Sequence, residues 1–127
     1  MLAIDASVAV DLCVAEGGFD NLAGHDLVAP PLLQSEALSV LHQLAWRTEL
    51  TEAEALARLE SAPVRREQPH GLARAAWAIA DELGWAKTYD AEYVALAQLL
   101  GCRLLTIDRR LRRGAERLRF IVTPAEL

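Results

Sequence analysis

Four acidic side chains lie at the edges of apolar segments in this sequence. They are Asp5 in MLAIDAS, Glu36 in PPLLQSEALSVL, Asp90 in TYDAEYVALA and Asp108 in RLLTIDRR. A carboxylate next to apolar residues is costly to remove from water unless a partner compensates its charge. Four carboxylates brought together would also repel one another and raise some of their pKa values. A divalent cation would remove both penalties, and carboxylate oxygens are ligands that suit Mg2+ and Mn2+.

Each of these acids also has a purely structural interpretation. Asp5, Asp90 and Asp108 each precede a predicted helix, and Asp is a favoured N-cap residue. Glu36 lies within a predicted helix, at the rim of its apolar stripe, where it faces either a cleft or solvent. The combination favours a metal site, because Asp5 and Asp108 directly follow strand-like runs, and open α/β sheets bind ligands beyond the carboxyl ends of their strands. Such an acidic cluster fits metal-assisted hydrolysis of a phosphodiester bond.

The elements that must position these acids alternate between strands and helices. Apolar runs predict strands at residues 2–4, 27–29, 64–68, 103–107 and 120–122. Helical spacing and terminal residues predict helices at 6–15, 32–47, 51–61, 72–83 and 90–100, and a helical turn at 108–113. On the helix at 32–47, the stripe expected to face the core comprises Leu33, Ala37, Val40, Leu41 and Leu44. The alternation predicts an α/β fold of three layers, with a central, mostly parallel sheet flanked by helices.

Bulk composition narrows the class of protein. The chain has 127 residues, of which 53% are hydrophobic, enough for a single domain spanning residues 1–127. The sequence shows neither a secretory leader nor an apolar run long enough to span a membrane. Cys13 and Cys102 are its only cysteines and form no CxxC pair, so we expect a reduced, cytoplasmic protein.

Charge is distributed unevenly along the chain. The net charge is −5, but residues 1–60 carry two basic and ten acidic side chains, whereas residues 61–127 carry eleven basic and eight acidic ones. Four arginines directly follow Asp108, and these are Arg109, Arg110, Arg112 and Arg113. This asymmetry indicates an anionic partner on one face, with a solvated surface helix as the alternative.

Hydroxyl and aromatic side chains near the acids have secondary expected roles. The hydroxyls of Ser7 and Thr106 are placed to orient a metal-bound water or to cap a helix. The three tryptophans, Trp46, Trp77 and Trp85, are expected in the core or at an interface.

The sequence resembles the PIN-domain ribonucleases, and in particular the VapC-type toxins of bacterial toxin–antitoxin pairs. The resemblance runs through LAIDASVAVDL and VAPPLLQSEALSVL and is densest in TYDAEYVALAQLLGCRLLTIDRRL. It maps the four acids of the family onto Asp5, Glu36, Asp90 and Asp108, and its helper hydroxyl onto Thr106. Many relatives carry a further acid or amide shortly after the last Asp, whereas this chain has arginines there, so a second metal position is in question.

The resemblance implies a Mg2+- or Mn2+-dependent endoribonuclease that cleaves RNA, thereby inhibits translation, and is silenced by a VapB-type antitoxin. The four arginines would then contact the RNA or the antitoxin. A homodimer is also expected, because Trp46 and the helix at 51–61 offer more apolar surface than a small domain buries. The alternatives are a PIN nuclease of RNA processing outside a toxin pair, a catalytically silent PIN-fold binding module, and a phosphoacceptor domain. The phosphoacceptor domain is disfavoured, because it would need a lysine after a late strand, and the single lysine, Lys87, precedes Asp90.

Overall fold

The computed structural model describes residues 1–47 and 51–127. Within these residues the strands are Leu2–Ile4 (β1), Leu27–Ala29 (β2), Val64–Arg66 (β3), Arg103–Leu105 (β4) and Ile121–Val122 (β5). The α-helices are Ala6–Val14 (α1), Leu32–Arg47 (α2), Glu52–Glu60 (α3), Leu72–Leu83 (α4), Tyr89–Leu100 (α5) and Arg109–Gly114 (α6). Short 3-10 helices span Gly18–Leu22, Glu116–Leu118 and Pro124–Glu126. No helix in these ranges is long and apolar enough to cross a membrane.

The five strands form one sheet in the order β3-β2-β1-β4-β5, and every pairing is parallel. The chain builds outward from the central strand β1 through β2 to β3, and then crosses to the other side to form β4 and β5. The direction of growth reverses between β1 and β4, and in open α/β sheets the carboxyl end of such a switch point is where ligands bind. The predicted α/β fold, with a parallel sheet flanked by helices, is confirmed.

Strands β1 and β2 are apolar throughout because helices cover the sheet. Leu2–Ile4 and Leu27–Ala29 are buried at every position, as is typical of parallel sheets. The main core continues into α5, where Tyr93 to Ala97 are all buried. A second apolar cluster joins α1, α2 and α3, and consists of Val10, Cys13, Ala37, Leu41, Ala55 and Leu59. This second cluster fixes α2, which carries Glu36, against the rest of the fold.

One expectation about buried side chains is wrong. On α2 the buried row is Leu33, Ala37 and Leu41, whereas Val40 is 39% exposed. The reason is packing rather than position on the helix, since residue 40 lies only about 20° around the axis from residue 33, whereas the cluster that joins α1, α2 and α3 covers the side of Ala37 and Leu41. Trp46 and Trp77 are 82% and 68% exposed, which excludes the core for both, and the interface that was the alternative for them stays a prediction.

The turn from α5 into β4 brings two parts of the site together. Gly101 ends α5 in the left-handed conformation, with φ of 66°, and its position lets the N–H groups of Gly101 and Cys102 bond to the carbonyls of Gln98 and Ala97. A left-handed residue at this position is usually glycine, because other side chains clash there. Strand β4 begins two residues later, so the helix bearing Asp90 leads directly into the strand that precedes Asp108.

Candidate active site

Asp5 and Asp108 lie on either side of the switch point of the sheet. Asp5 follows β1 and caps α1, because its Oδ1 accepts the Val8 N–H at 3.1 Å. Asp108 follows β4 and caps α6, because its Oδ1 accepts the N–H groups of Arg110 at 2.9 Å and Leu111 at 3.3 Å. Strands β1 and β4 are parallel neighbours, so both acids emerge at the same edge. The capping interpretation of these two residues is therefore correct, and it is compatible with a shared site.

The carboxylate of Asp5 is held in a buried hydrogen-bonded setting. The side chain is 3% exposed, and it receives hydrogen bonds from the Ser7 hydroxyl on Oδ1 at 2.6 Å and from the Thr106 hydroxyl on Oδ2. Burial raises the pKa of Asp5, the hydrogen bonds from Ser7, Thr106 and the Val8 N–H oppose that rise, and the charge of Asp108 adds to it. The charged form is thus solvated by the protein rather than by water, at a net cost to the fold.

Thr106 connects the two acids at this edge. Its hydroxyl donates to Asp5 and accepts the N–H of Asp108 at 3.0 Å, while its own N–H bonds to the Val122 carbonyl. A hydroxyl has one proton, and that proton is committed to Asp5, so these contacts give Thr106 a positioning role. Ser7 reinforces the link, since its hydroxyl accepts the Ile107 N–H at 3.3 Å.

Asp90 approaches the same edge from α5. It was expected to cap this helix, but the helix begins at Tyr89, Thr88 occupies the cap position, and Asp90 is the second helical residue. Its carboxylate is partly buried near the positive end of the helix dipole. Burial and then the charge of Asp108 raise the pKa of Asp90, and Arg110 opposes them. Asp90 and Asp108 are therefore electrostatically coupled.

Tyr93 completes the connection to Glu36 and was not predicted as a site residue. It lies one helical turn after Asp90, is 1% exposed, and donates a hydrogen bond from its hydroxyl to Glu36 Oε1. Burial, that hydrogen bond, and the charges of Glu36, Asp5 and Asp90 all raise the pKa of Tyr93. The hydroxyl therefore remains a neutral donor facing three of the acids. Its i, i+3 spacing from Asp90 was the available sequence signal.

A further acid, Glu92, lies beside Glu36 at this edge. Burial and then the charge of Glu36 raise the pKa of Glu92. Nothing in the sequence distinguishes Glu92 from a surface glutamate, because it lies within a helix and neither follows a strand nor begins the helix.

The acids form an electrostatic cluster and not a preformed coordination sphere. In residues 1–47 and 51–127, no three Asp, Glu, His or Cys side chains are arranged to hold a metal ion. Several carboxylate oxygens nevertheless accept no hydrogen bond from the described part of the chain, namely Oδ2 of Asp108, Oε2 of Glu36 and both oxygens of Asp90. These are hard donors of the type that Mg2+ and Mn2+ bind, so the donor chemistry fits such a cation. Shared coordination would require the side chains to rearrange.

The four arginines after Asp108 do not occupy equivalent positions. Arg109, Arg110 and Arg113 are exposed. Arg112 is partly buried, and its Nη2 bonds to both carboxylate oxygens of Glu126 at 3.2 and 3.3 Å. Arg110 Nε lies 4.0 Å from Asp108 Oδ1, so within the described residues only Arg109 and Arg113 have no acidic partner.

Comparison with known proteins identifies related chains. Residues 2–117 match the PIN domain family. VapC ribonuclease Mb0985 of Mycobacterium bovis and ribonuclease VapC9 of Mycobacterium tuberculosis are each 37% identical over 115 residues, which cover 87% of this chain and 88% of theirs. Ribonuclease VapC3 of Mycobacterium tuberculosis is 36% identical over 121 residues, covering 87% and 85%. The crystal structure of PAE2754 from Pyrobaculum aerophilum has a TM-score of 0.72 at 23% identity, covering 98% of this chain and 90% of that one, which supports the fold.

Proposed function

This chain belongs to the PIN-domain family and to its VapC branch, and from that premise we propose that it is a divalent-metal-dependent endoribonuclease. The observation that carries the proposal is the electrostatic coupling of four acids near the switch point of the sheet. Asp108 raises the pKa of Asp5 and Asp90, and the charges of Glu36, Asp5 and Asp90 raise the pKa of Tyr93. Relatives at 36–37% identity are named ribonucleases. The substrate class that we assign is therefore an RNA phosphodiester.

We assign Mg2+ or Mn2+ to the four acids. When bound, such a cation would polarise the phosphate, activate a water and offset charge on the leaving oxygen. Asp108, Asp90 and Glu36 would supply the oxygens that accept no hydrogen bond within the described residues. The charge of Asp108 raises the pKa of both Asp5 and Asp90, and the apo protein bears that repulsion.

The other side chains of the site hold these acids in place. Thr106 fixes the carboxylate plane of Asp5 and ties it to the backbone of Asp108. Tyr93 fixes Glu36 from the opposite helix, and its raised pKa keeps it protonated so that it can donate. Both groups act through the acids, so we describe them as positioning residues.

In the cell, we infer that a single PIN domain formed by residues 1–127 acts in the cytoplasm as the toxin of a type II toxin–antitoxin pair, cleaving RNA to inhibit translation. A VapB-type antitoxin would be its partner and inhibitor. The alternative of a PIN nuclease in RNA processing makes a different genomic prediction. A short reading frame for a DNA-binding protein directly upstream of the gene supports the toxin, and its absence supports RNA processing.

We also propose a homodimer. Trp46 is highly exposed and borders a groove of about 750 Å3 between α2 and α3, whose apolar lining includes Leu38, Leu41, Ala55 and Leu56. Burial of this surface against a second copy would remove apolar area from water. Light scattering at micromolar concentration should give the mass of a dimer, and a monomer mass would contradict this assignment.

RNA cleavage by Asp108→Asn tests the enzymatic proposal. Asn caps helices about as well as Asp, so the variant should fold, while it loses one negative oxygen ligand. Cleavage of total cellular RNA in Mn2+ should fall by orders of magnitude relative to wild type. Asp81→Asn, an exposed position on α4, is the matched control and should retain activity. Undiminished cleavage by Asp108→Asn, or equal cleavage by wild type in EDTA, would refute the metal-dependent mechanism.

A further inference from the structure

A pocket of about 420 Å3 opens beside the candidate active site, between α6 and the C-terminal residues. Two of its lining residues, Thr106 and Asp108, belong to that site. Another part of the wall is formed by Arg109, Arg112 and Arg113 of α6. A pocket with three arginines in its wall is thus adjacent to the acidic cluster and shares residues with it.

The exposed cations at this pocket provide donors for an anion. Arg109 and Arg113 are exposed on its wall, Arg112 is paired with Glu126, and two acids, Asp108 and Glu116, also line it. The Oδ1 atom of Asp108 already accepts two N–H groups from the first turn of α6, which disperses part of its charge.

Arg112 provides a second observation that points to a ligand. Its Nη2 is paired with Glu126, but its Nε is buried and has no hydrogen-bond partner among the described residues. A buried N–H without an acceptor costs about 1–3 kcal/mol, and more when the group is charged. Because this atom has almost no exposed surface, an acceptor in the pocket would satisfy it only after a shift of the Arg112 side chain.

We propose that this pocket binds a phosphodiester group of the RNA, next along the strand from the phosphate at the acidic cluster. The proposal rests on the proposed function and adds to it a specific subsite for the substrate. Guanidinium groups present several donors in a fixed plane that matches the oxygens of a phosphate. Arg109 and Arg113 supply the free charge, and a shift of the Arg112 side chain would add its unpaired Nε.

The position of the pocket suits an RNA strand that also reaches the acidic cluster. A cluster of carboxylates repels a polyanion, and the first 60 residues carry ten acids against two bases. Cations adjacent to the cluster offset this repulsion where the strand must pass. The phosphate under attack would lie at the acidic cluster. The next phosphate along the same RNA strand would lie in the pocket, next to the arginines.

RNA binding by the double variant Arg109→Gln/Arg113→Gln tests the subsite. The probe is a short fluorescein-labelled single-stranded RNA of mixed sequence, measured by anisotropy in EDTA so that metal-dependent cleavage is prevented. The loss of one phosphate contact should flatten the slope of log affinity against log salt by about 0.7. If the wild type and the variant have equal affinity at 1 M salt, this difference in slope makes the variant bind about eightfold more weakly at 50 mM salt.

The matched control is Arg74→Gln/Arg103→Gln, which makes the same change in net charge at exposed positions on α4 and at the start of β4. It should bind RNA with the slope of the wild type. A pocket variant with the wild-type affinity and slope would overturn the subsite, as would an equal loss in the control. Because binding is measured without metal, a wild-type protein that binds RNA but never cleaves it would refute the proposed function alone.

Discussion

Replacement of Asp5 by Asn should stabilise the metal-free protein while it abolishes RNA cleavage. Asn keeps Oδ1 as the acceptor for the Val8 N–H and the Ser7 hydroxyl. Its amide can donate to the Thr106 oxygen, which then turns its own proton to Ser7, 3.5 Å away. The hydrogen-bond network therefore survives the substitution, and only the buried negative charge is lost.

The sign of the stability change follows from the pKa of Asp5. Burial raises that pKa, so the folded state holds the proton more tightly than the unfolded chain does. The stability of the wild type should therefore fall as pH rises from the ordinary Asp pKa, about 3.9, to the raised folded value, and the penalty is complete above that value. Relief of such a functional strain typically yields about 0.5–2 kcal/mol. For 127 residues this corresponds to an increase in Tm of roughly 2–8 °C.

Thermal melts at two pH values, with EDTA or with Mn2+, measure this prediction. In EDTA at pH 7 the Asp5→Asn variant should melt above the wild type, and the difference should vanish when both are acidified below the ordinary Asp pKa. With Mn2+ at 100 times its Kd, the wild type should gain about 2.7 kcal/mol and the variant much less. A variant that melts below the wild type in EDTA, or that gains as much from Mn2+, would refute the reasoning.

Three further substitutions test how the site is held together. Tyr93→Phe removes the hydrogen bond to Glu36 and should weaken Mn2+ binding in calorimetry, and unchanged affinity would exclude a positioning role. Thr106→Val leaves buried partners unsatisfied and should lower unfolding free energy by about 1–3 kcal/mol in urea melts, whereas Thr106→Ser should largely restore it; equal losses would contradict this account. Gly114→Ala places a Cβ 3.0 Å from the Trp85 ring and should cost about 1–3 kcal/mol, while wild-type stability would show that the ring moves freely.

The fold was predictable because each of its signals is local. Strands β1 and β2 are short apolar runs bounded by polar residues or turns, and α5 ends at the glycine that its geometry requires. The positions of Asp5 and Asp108 could be predicted from the strands that precede them, since a residue after a parallel strand must lie at the carboxyl edge of the sheet. The arrangement of the sheet around β1 then places these two residues together.

The parts that escaped prediction depend on packing between distant segments. The Tyr93 hydroxyl meets Glu36 across 57 residues of sequence, and an aromatic residue on a buried helical face reads as core. The pairing of Arg112 with Glu126 likewise depends on where the C-terminal turn returns to α6. The error at Asp90 was local, because Thr88 is an equally plausible helix start.

A capping role and a ligand role are compatible in one aspartate, because a carboxylate has two oxygens. In Asp108, Oδ1 is used by the N–H groups of α6, and this fixes the side-chain rotamer while Oδ2 stays available. In Asp5 both oxygens already accept hydrogen bonds from Val8, Ser7 and Thr106, so this residue offers a cation only its remaining lone pairs and its charge. The two acids at the switch point thus differ in what they can contribute. Asp108 provides a preoriented free oxygen, whereas Asp5 provides a fixed negative charge around which the other groups are arranged.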